Sequence, residues 1–95
     1  MASPDSEKAV TVRIRGKVQG VWFRAWIADQ ATRRNLRGWV RNRSDGSVEA
    51  LLVGQVDQVD ELAEICWQGP RAAKVESVKV TQAEPVHRPG FVTLA

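Results

Sequence analysis

The sequence lacks the features that mark disulfide-rich and membrane proteins. Its one cysteine, Cys66, excludes a disulfide framework and a cysteine metal cage within one chain. Its longest apolar runs, such as residues 50–53, are too short to cross a membrane or to form the core of a signal peptide. With one histidine, His87, it also offers no obvious pair of nucleophile and general base. We therefore expect a cytoplasmic protein without membrane contact.

The composition is typical of one small globular domain. The chain has 95 residues, of which 43% are hydrophobic and 26% charged, and these fractions argue against global disorder. Residues 1–8 are polar and show no periodicity, so we interpret them as a disordered tail. Residues 9–95 then form the domain.

The charge is unevenly distributed along the chain. Residues 1–46 carry ten Lys and Arg against four acids, a net charge of +6, whereas residues 47–95 carry four against seven, a net charge of −3. A basic half favours an anionic partner, which could be a nucleic acid, a membrane surface or a phosphorylated small molecule. A merely solvated basic face is the alternative, and charge alone does not separate the two.

Hydrophobic periodicity predicts five strands and two helices. Alternation predicts strands over 10–15, 36–42, 47–53, 75–81 and 91–94, and helical spacing predicts helices over 22–34 and 58–67. We expect Gly16 to end the first strand, Asn35 to close the first helix in a left-handed conformation, and Asp57 to cap the second. The order β-α-β-β-α-β with an extra short C-terminal strand predicts an α+β fold, with two helices on one face of a largely antiparallel sheet.

A loop with two glycines joins the first strand to the first helix. Main-chain N–H groups at such a loop and at a helix start lack partners, and the helix dipole adds positive charge there. Arg24, at the start of the helix, can bind two phosphate oxygens with its planar fork. These features favour an anion site, although an ordinary turn has the same spacing. The loop lacks the Gly-Lys-Ser/Thr of a P-loop and the third glycine of a dinucleotide-binding fingerprint.

Two longer strings resemble the two signatures of the acylphosphatase family. They are GKVQGVWFR over residues 16–24 and GWVRNRSDGSVE over residues 38–49, continuing to Gly54, and GPRAAKV over residues 69–75 is similar to the family's link into the fourth strand. The resemblance covers residues 10–94. It implies a ferredoxin-like α/β sandwich and an enzyme that hydrolyses acyl phosphates to a carboxylate and inorganic phosphate, without a metal or a cofactor.

The resemblance also implies the roles of individual residues. Arg24 matches the family's phosphate-binding arginine, and Asn42 matches the asparagine that holds the attacking water. The backbone cradle for the phosphate matches Gly16, Lys17, Val18, Gln19, Gly20 and Val21. The implied partners are a small acyl phosphate and, as competing ligands, inorganic phosphate or sulfate; we expect a monomer that binds no nucleic acid. The sequence departs from the family at Arg43, where threonine or another small polar residue is frequent, and at Asn35, where glycine is frequent.

Several other residues are better explained by structure than by chemistry. Cys66 lies on the apolar stripe of the second helix, which indicates a core residue, and His87 lies in a loop. The acidic residues of that helix indicate a solvated face rather than a metal site; they are Asp57, Asp60, Glu61 and Glu64. The tryptophans are interpreted as packing residues rather than as a stacking platform, with Trp39 partly exposed; they are Trp22, Trp26, Trp39 and Trp67.

Two alternative functions remain. The same order of elements occurs in RNA-recognition modules, and residues 37–40 faintly resemble one of their motifs, although on the second strand and with one aromatic residue. A phosphate-binding domain without catalysis is the other alternative. The presence of both Arg24 and Asn42 argues against it.

Overall fold

Five strands and two helices follow one another in residues 7–95, the part of the chain that the structure, a computed structural model, describes. Their bounds are β1 Glu7–Lys17, α1 Phe23–Arg33, β2 Arg37–Asn42, β3 Val48–Gln55, α2 Val56–Ile65, β4 Lys74–Gln82 and β5 Phe91–Thr93. Each predicted element is present, with ends that differ by at most three residues. Within the described residues, neither helix is long and apolar enough to span a membrane.

The strands form one sheet in the order β4-β1-β3-β2-β5. β1 pairs antiparallel with both β3 and β4, and β2 pairs antiparallel with β3. Only the short β5 is parallel to its neighbour β2. α1 packs against β2 and β5, and α2 packs against β1 and β3. The predicted fold class is therefore confirmed, since both helices cover one face of a largely antiparallel sheet.

The core lies between the helices and that face of the sheet. Alternate residues of β1 point into it, namely Val10, Val12 and Ile14, and they meet Ile27 of α1 and Leu62 of α2 in one buried cluster. Burying each such side chain contributes about 1.5–3 kcal/mol. This core holds the start of α1 and the end of β2 at fixed positions on the same side of the sheet.

The end of α1 shows why asparagine can stand there. Asn35 has a φ of 58°, as predicted. Its N–H donates to the oxygen of Thr32 at 3.1 Å, and the N–H of Leu36 donates to the oxygen of Ala31 at 2.9 Å. These two bonds form a Schellman motif, which satisfies carbonyls that the helix leaves open, and Leu36 is buried against the core.

Three local predictions are wrong. β1 does not end at Gly16 but continues to Lys17 across an irregularity between Arg15 and Gly16, where a Cβ on Gly16 would lie 2.2 Å from the Lys74 oxygen. The close approach of β4 therefore requires this glycine. Gln55, not Asp57, precedes the first residue of α2.

The third wrong prediction concerns the N-terminal tail. Glu7 and Lys8 were predicted to lie in it but belong to β1, where Glu7 pairs with Gln55 of β3 and Lys8 with Gly54. The rest of the predicted tail, residues 1–6, lies outside the described residues.

Candidate active site

The loop between β1 and α1 is anchored in the core at two points. Val18 and Val21 are buried, with 1% and 7% of their surface exposed. Gly20 lies between them, is exposed and has a φ of 73°, a conformation that glycine adopts without steric cost. The buried valines hold the ends of the loop while its main chain turns outward at Gly20.

The start of α1 has open main-chain donors. Trp22 is the residue before the helix, has a φ of 66°, and makes no side-chain capping bond. The first helical bond runs from the N–H of Trp26 to the oxygen of Trp22, at 3.0 Å. Within residues 7–95, the N–H groups of residues 20–25 find no hydrogen-bond acceptor. A helix start with open amides and the positive end of a dipole suits an anion.

Arg24 lies in the first turn of α1, beside these amides. Its Nη1 atom donates a hydrogen bond to the main-chain oxygen of Leu94, at 2.7 Å. Leu94 is itself held, because its N–H donates to the oxygen of Val40 in β2 at 2.8 Å. Leu94, which follows β5, therefore orients the guanidinium group of Arg24.

Arg24 also differs from the other arginines of the basic half in its electrostatic surroundings. Among the arginines between residues 7 and 46, it alone has no carboxylate of the described residues within ion-pair distance. The paired ones are Arg13, Arg15, Arg33, Arg34, Arg37, Arg41 and Arg43. Local carboxylates thus balance much of the positive charge noted in the sequence. The charge of Arg24 is left available to an external anion.

Asn42 is the last residue of β2 and lies on the helix-covered side of the sheet. It pairs with Val48, whose side chain is in the core. Asn42 and Arg24 line the same pocket, which has a volume of about 410 Å³ and is also lined by Val18, Gly20, Trp22, Phe23, Ala25 and Thr93. The structure thus brings the two predicted catalytic side chains and two loop residues to one place.

The other predicted cradle residues lie outside this lining. Gly16 and Lys17 belong to β1 and pair with β4, and Val21 is in the core. Gln19 has a structural role that the sequence did not indicate. Its Nε2 donates to the oxygens of Arg43 and Ser47, at 2.7 and 2.9 Å, and so ties the loop to the turn after β2.

That turn is stabilised by Asp45, in the predicted Ser-Asp-Gly sequence. The carboxylate accepts hydrogen bonds from the hydroxyl and from the main-chain N–H of Ser47, and it also binds Arg15 at 3.0 Å. These contacts, the Ser47 hydroxyl first, hold the pKa of Asp45 well below its ordinary value. The turn therefore presents fixed carbonyls to Gln19.

Arg43, the departure from the family pattern, is held away from the pocket lining. Its Nη1 lies 3.2 Å from Oε1 of Glu49, and Glu49 also accepts from Arg41 at 3.0 Å. Arg43 therefore forms part of an ion-pair cluster centred on Glu49.

The tryptophans do not all pack as predicted. Trp26 packs edge-on against Phe23, with ring centroids 5.5 Å apart, and Trp39 is half-buried. Trp67, however, is 49% exposed, and Trp22 is 83% exposed at the pocket. The packing prediction is wrong for these two residues.

The remaining candidates lie where the sequence placed them. Cys66 is buried, and burial raises the pKa of its thiol to about 12, so it is a core residue. His87 is exposed in the loop before β5. Within residues 7–95, no group of three or more His, Cys, Asp or Glu side chains could hold a metal ion.

Comparisons with known proteins agree on one family. The family model described as Acylphosphatase matches residues 10–93. An acylphosphatase of Rhizorhabdus wittichii is 49% identical over 84% of this chain and 81% of its own length. Among solved structures, an acylphosphatase from Coxiella burnetii is 34% identical, with a TM-score of 0.91 and 95% of each chain covered, and one from Bacillus subtilis is 32% identical, with a TM-score of 0.86 and coverages of 92% and 98%.

Proposed function

The chain belongs to the acylphosphatase family and hydrolyses acyl phosphates to a carboxylate and inorganic phosphate; we propose that Arg24, Asn42 and the β1–α1 loop carry out this reaction. The observation that carries the proposal is the pocket in which Arg24, which has no carboxylate partner among the described residues, meets Asn42 and open main-chain amides. A dianionic phosphoryl group matches this set of donors in charge and in hydrogen bonding.

The chemistry of the substrate explains why so few groups suffice. An acyl phosphate is a mixed anhydride whose leaving group is a carboxylate, and the acid of that carboxylate has a pKa of about 4. The carboxylate can leave unprotonated at neutral pH, so no general acid is needed. Phosphoryl transfer has a loose transition state, in which positioning of the water and stabilisation of charge do most of the catalysis.

Each group then has one task. Arg24 and the loop amides bind the phosphoryl oxygens and stabilise their charge as the P–O bond to the acyl group breaks. The Asn42 amide orients a water in line with that bond. The water oxygen bonds to phosphorus, the carboxylate leaves with the bonding electrons, and a proton of the water passes to a phosphoryl oxygen of the substrate.

We extend the proposal to ligands and assembly. Inorganic phosphate and sulfate compete with the substrate because they present the same tetrahedral oxygens to the same donors. A monomer is active, since one chain supplies the whole pocket lining, and it acts in the cytoplasm without binding nucleic acid. For the RNA-binding alternative, the open sheet face offers little, because Trp39 lies under the guanidinium of Arg41, 5.0 Å from the ring centroid.

The experiment is hydrolysis of benzoyl phosphate in the presence of EDTA. The unmodified chain should be active, and Arg24→Gln should lose about 10²–10³-fold in kcat/KM while its circular dichroism is unchanged. Arg33→Gln is the matched control, because Arg33 is an exposed arginine at the other end of α1 that pairs with Asp29. Near-normal turnover in Arg24→Gln, or equal losses in both variants, would contradict the proposal.

A further inference from the structure

One aromatic side chain at the pocket has no role in the scheme above. Trp22 lines the pocket and is the most exposed large apolar residue in residues 7–95. The other large exposed apolar residues of this range lie outside the lining; they are Trp67, Val80, Val92 and Leu94. Water contacts almost the whole indole, so packing within the chain does not account for it.

The backbone of Trp22 is also unusual. Its φ of 66° places it in the left-handed region, which a bulky aromatic residue rarely occupies. Such conformations concentrate at functional sites, where neighbouring structure holds them. Here the neighbours are buried on both sides, since Val21 and Phe23 are core residues. They leave Trp22 directed out of the core at the rim of the pocket.

The direction of the reaction limits where the acyl group can lie in the pocket. The water and the leaving group lie on opposite sides of the phosphorus in an in-line displacement. Since Asn42, at the end of β2, is proposed to hold the water, the acyl group leaves from the phosphorus on the side away from Asn42. Trp22, Ala25 and Thr93 line the same pocket as Asn42. Besides Arg24, none of the described residues in this lining is charged, so the acyl group meets neutral surface there.

We propose that Trp22 determines the preference for the acyl group, and that it favours acyl phosphates of flat, apolar acids, such as aromatic acids, over acetyl phosphate. This inference rests on the proposed function, since it assumes that the phosphoryl group is bound by Arg24 and the loop. The face of an indole contacts an aromatic ring favourably by stacking as well as by burial of apolar surface. An acetyl group is too small to gain either contact.

The test measures kcat/KM for benzoyl phosphate and for acetyl phosphate, and uses their ratio. Trp22→Ala should lower the benzoyl-to-acetyl ratio about tenfold, mainly through KM, because a stacking contact at an exposed site is worth up to about that factor. Trp22→Phe should restore most of the ratio. Trp67→Ala, which removes an exposed tryptophan outside the pocket, should leave it unchanged.

Competitive inhibition tests the same contact of Trp22 without depending on hydrolysis of the inhibitor. Phenylphosphonate and methylphosphonate carry an aromatic ring and a methyl group, respectively, on a phosphorus that the enzyme does not hydrolyse. Tighter inhibition by the phenyl compound than by the methyl compound should be lost in Trp22→Ala, in parallel with the fall in the substrate ratio. An unchanged ratio in Trp22→Ala, or an equal ratio in Trp22→Ala and Trp22→Phe, overturns the role of Trp22 and leaves the proposed function intact. If the unmodified chain hydrolyses neither substrate, the proposed function itself fails.

Discussion

Nη1 of Arg24 lies 2.7 Å from the main-chain oxygen of Leu94, so the first turn of α1 is joined to the residue that follows β5. An arginine side chain loses about 1.5–2 kcal/mol of rotamer entropy when it is fixed. The bond to Leu94 contributes part of that fixation before any ligand arrives. The parallel pairing of β5 with β2 is what places Leu94 within reach of the helix.

Truncation after Thr93, with the new chain end amidated so that it adds no carboxylate to the pocket, tests this link. Without Leu94 the guanidinium loses its acceptor, and we expect the inhibition constant for inorganic phosphate to rise about threefold to tenfold, as for an exposed hydrogen bond to a charged group. Leu94→Ala is the control, since it keeps the main-chain oxygen and should bind phosphate normally. Competition by phosphate in the hydrolysis assay measures both; equal affinities in the two variants would mean that the bond does not orient Arg24.

Asn42→Ala should separate turnover from binding. The amide is proposed to orient the water rather than to hold phosphate, so kcat should fall by at least about tenfold while phosphate inhibition changes little. Steady-state kinetics with phosphate as competitor give both quantities. Ser44→Ala, in the exposed turn just after β2, should alter neither. A parallel loss of turnover and phosphate affinity would instead assign Asn42 to binding.

Gln19→Leu should loosen the loop without removing any group from the pocket. The variant loses two half-buried hydrogen bonds, from Nε2 to the oxygens of Arg43 and Ser47, which cost about 1–2 kcal/mol of unfolding free energy together. Both carbonyls keep a main-chain partner, since they accept from Gly46 and Arg43. Urea denaturation gives the stability, and KM should rise because the loop amides are less fixed. Gln58→Leu, on α2, should leave KM unchanged. An equal rise of KM in that variant would contradict the role of Gln19 in fixing the loop.

Two kinds of feature could be predicted from the sequence. The strands and helices follow from hydrophobic periodicity, and the site residues follow from the resemblance to the acylphosphatase family. Alternation in β1 and helical spacing in both helices gave the correct elements, because burial on one face dictates those patterns. The resemblance placed Arg24 and Asn42, whose convergence from a helix start and a strand end no local pattern could reveal.

The features that were not predicted from the sequence arise from contacts between distant segments of the chain. The Gly16 main chain is required by the approach of Lys74, nearly sixty positions later, and the Gln19 amide finds carbonyls in the turn after β2. Trp22 gave one overlooked signal. It stands where serine, threonine, aspartate or asparagine would normally cap the helix, and the absence of a capping side chain leaves the amides open.

The stability of the fold should fall in acid, partly through Asp45. Its pKa is lowered in the folded state by Ser47 and Arg15, whereas in the unfolded chain it takes up a proton near pH 4. Its contribution is therefore present above about pH 4 and is lost as the pH falls below that value toward the lower folded-state pKa. Glu7, whose pKa Arg37 lowers, adds to the trend in the same direction.

Denaturation in urea at pH 7, 4 and 3 measures this dependence. Asp45→Asn should show a shallower loss of unfolding free energy on acidification than the unmodified chain, and Ser47→Ala should show an intermediate slope. Parallel losses in all three proteins would show that Asp45 does not contribute to acid sensitivity.

Cys66 should behave as a core residue with no part in the chemistry. Its thiol is fully buried with a pKa raised to about 12, so at pH 8 in the native state it should react with a disulfide reagent only as fast as the chain unfolds. Denaturant should make the reaction immediate, with one thiol modified per chain. Cys66→Ala should hydrolyse benzoyl phosphate at the normal rate, with a small loss of unfolding free energy from the removed sulfur. A large loss of turnover in a folded Cys66→Ala protein would indicate a nucleophilic cysteine, which the burial of Cys66 at the C-terminal end of α2 argues against.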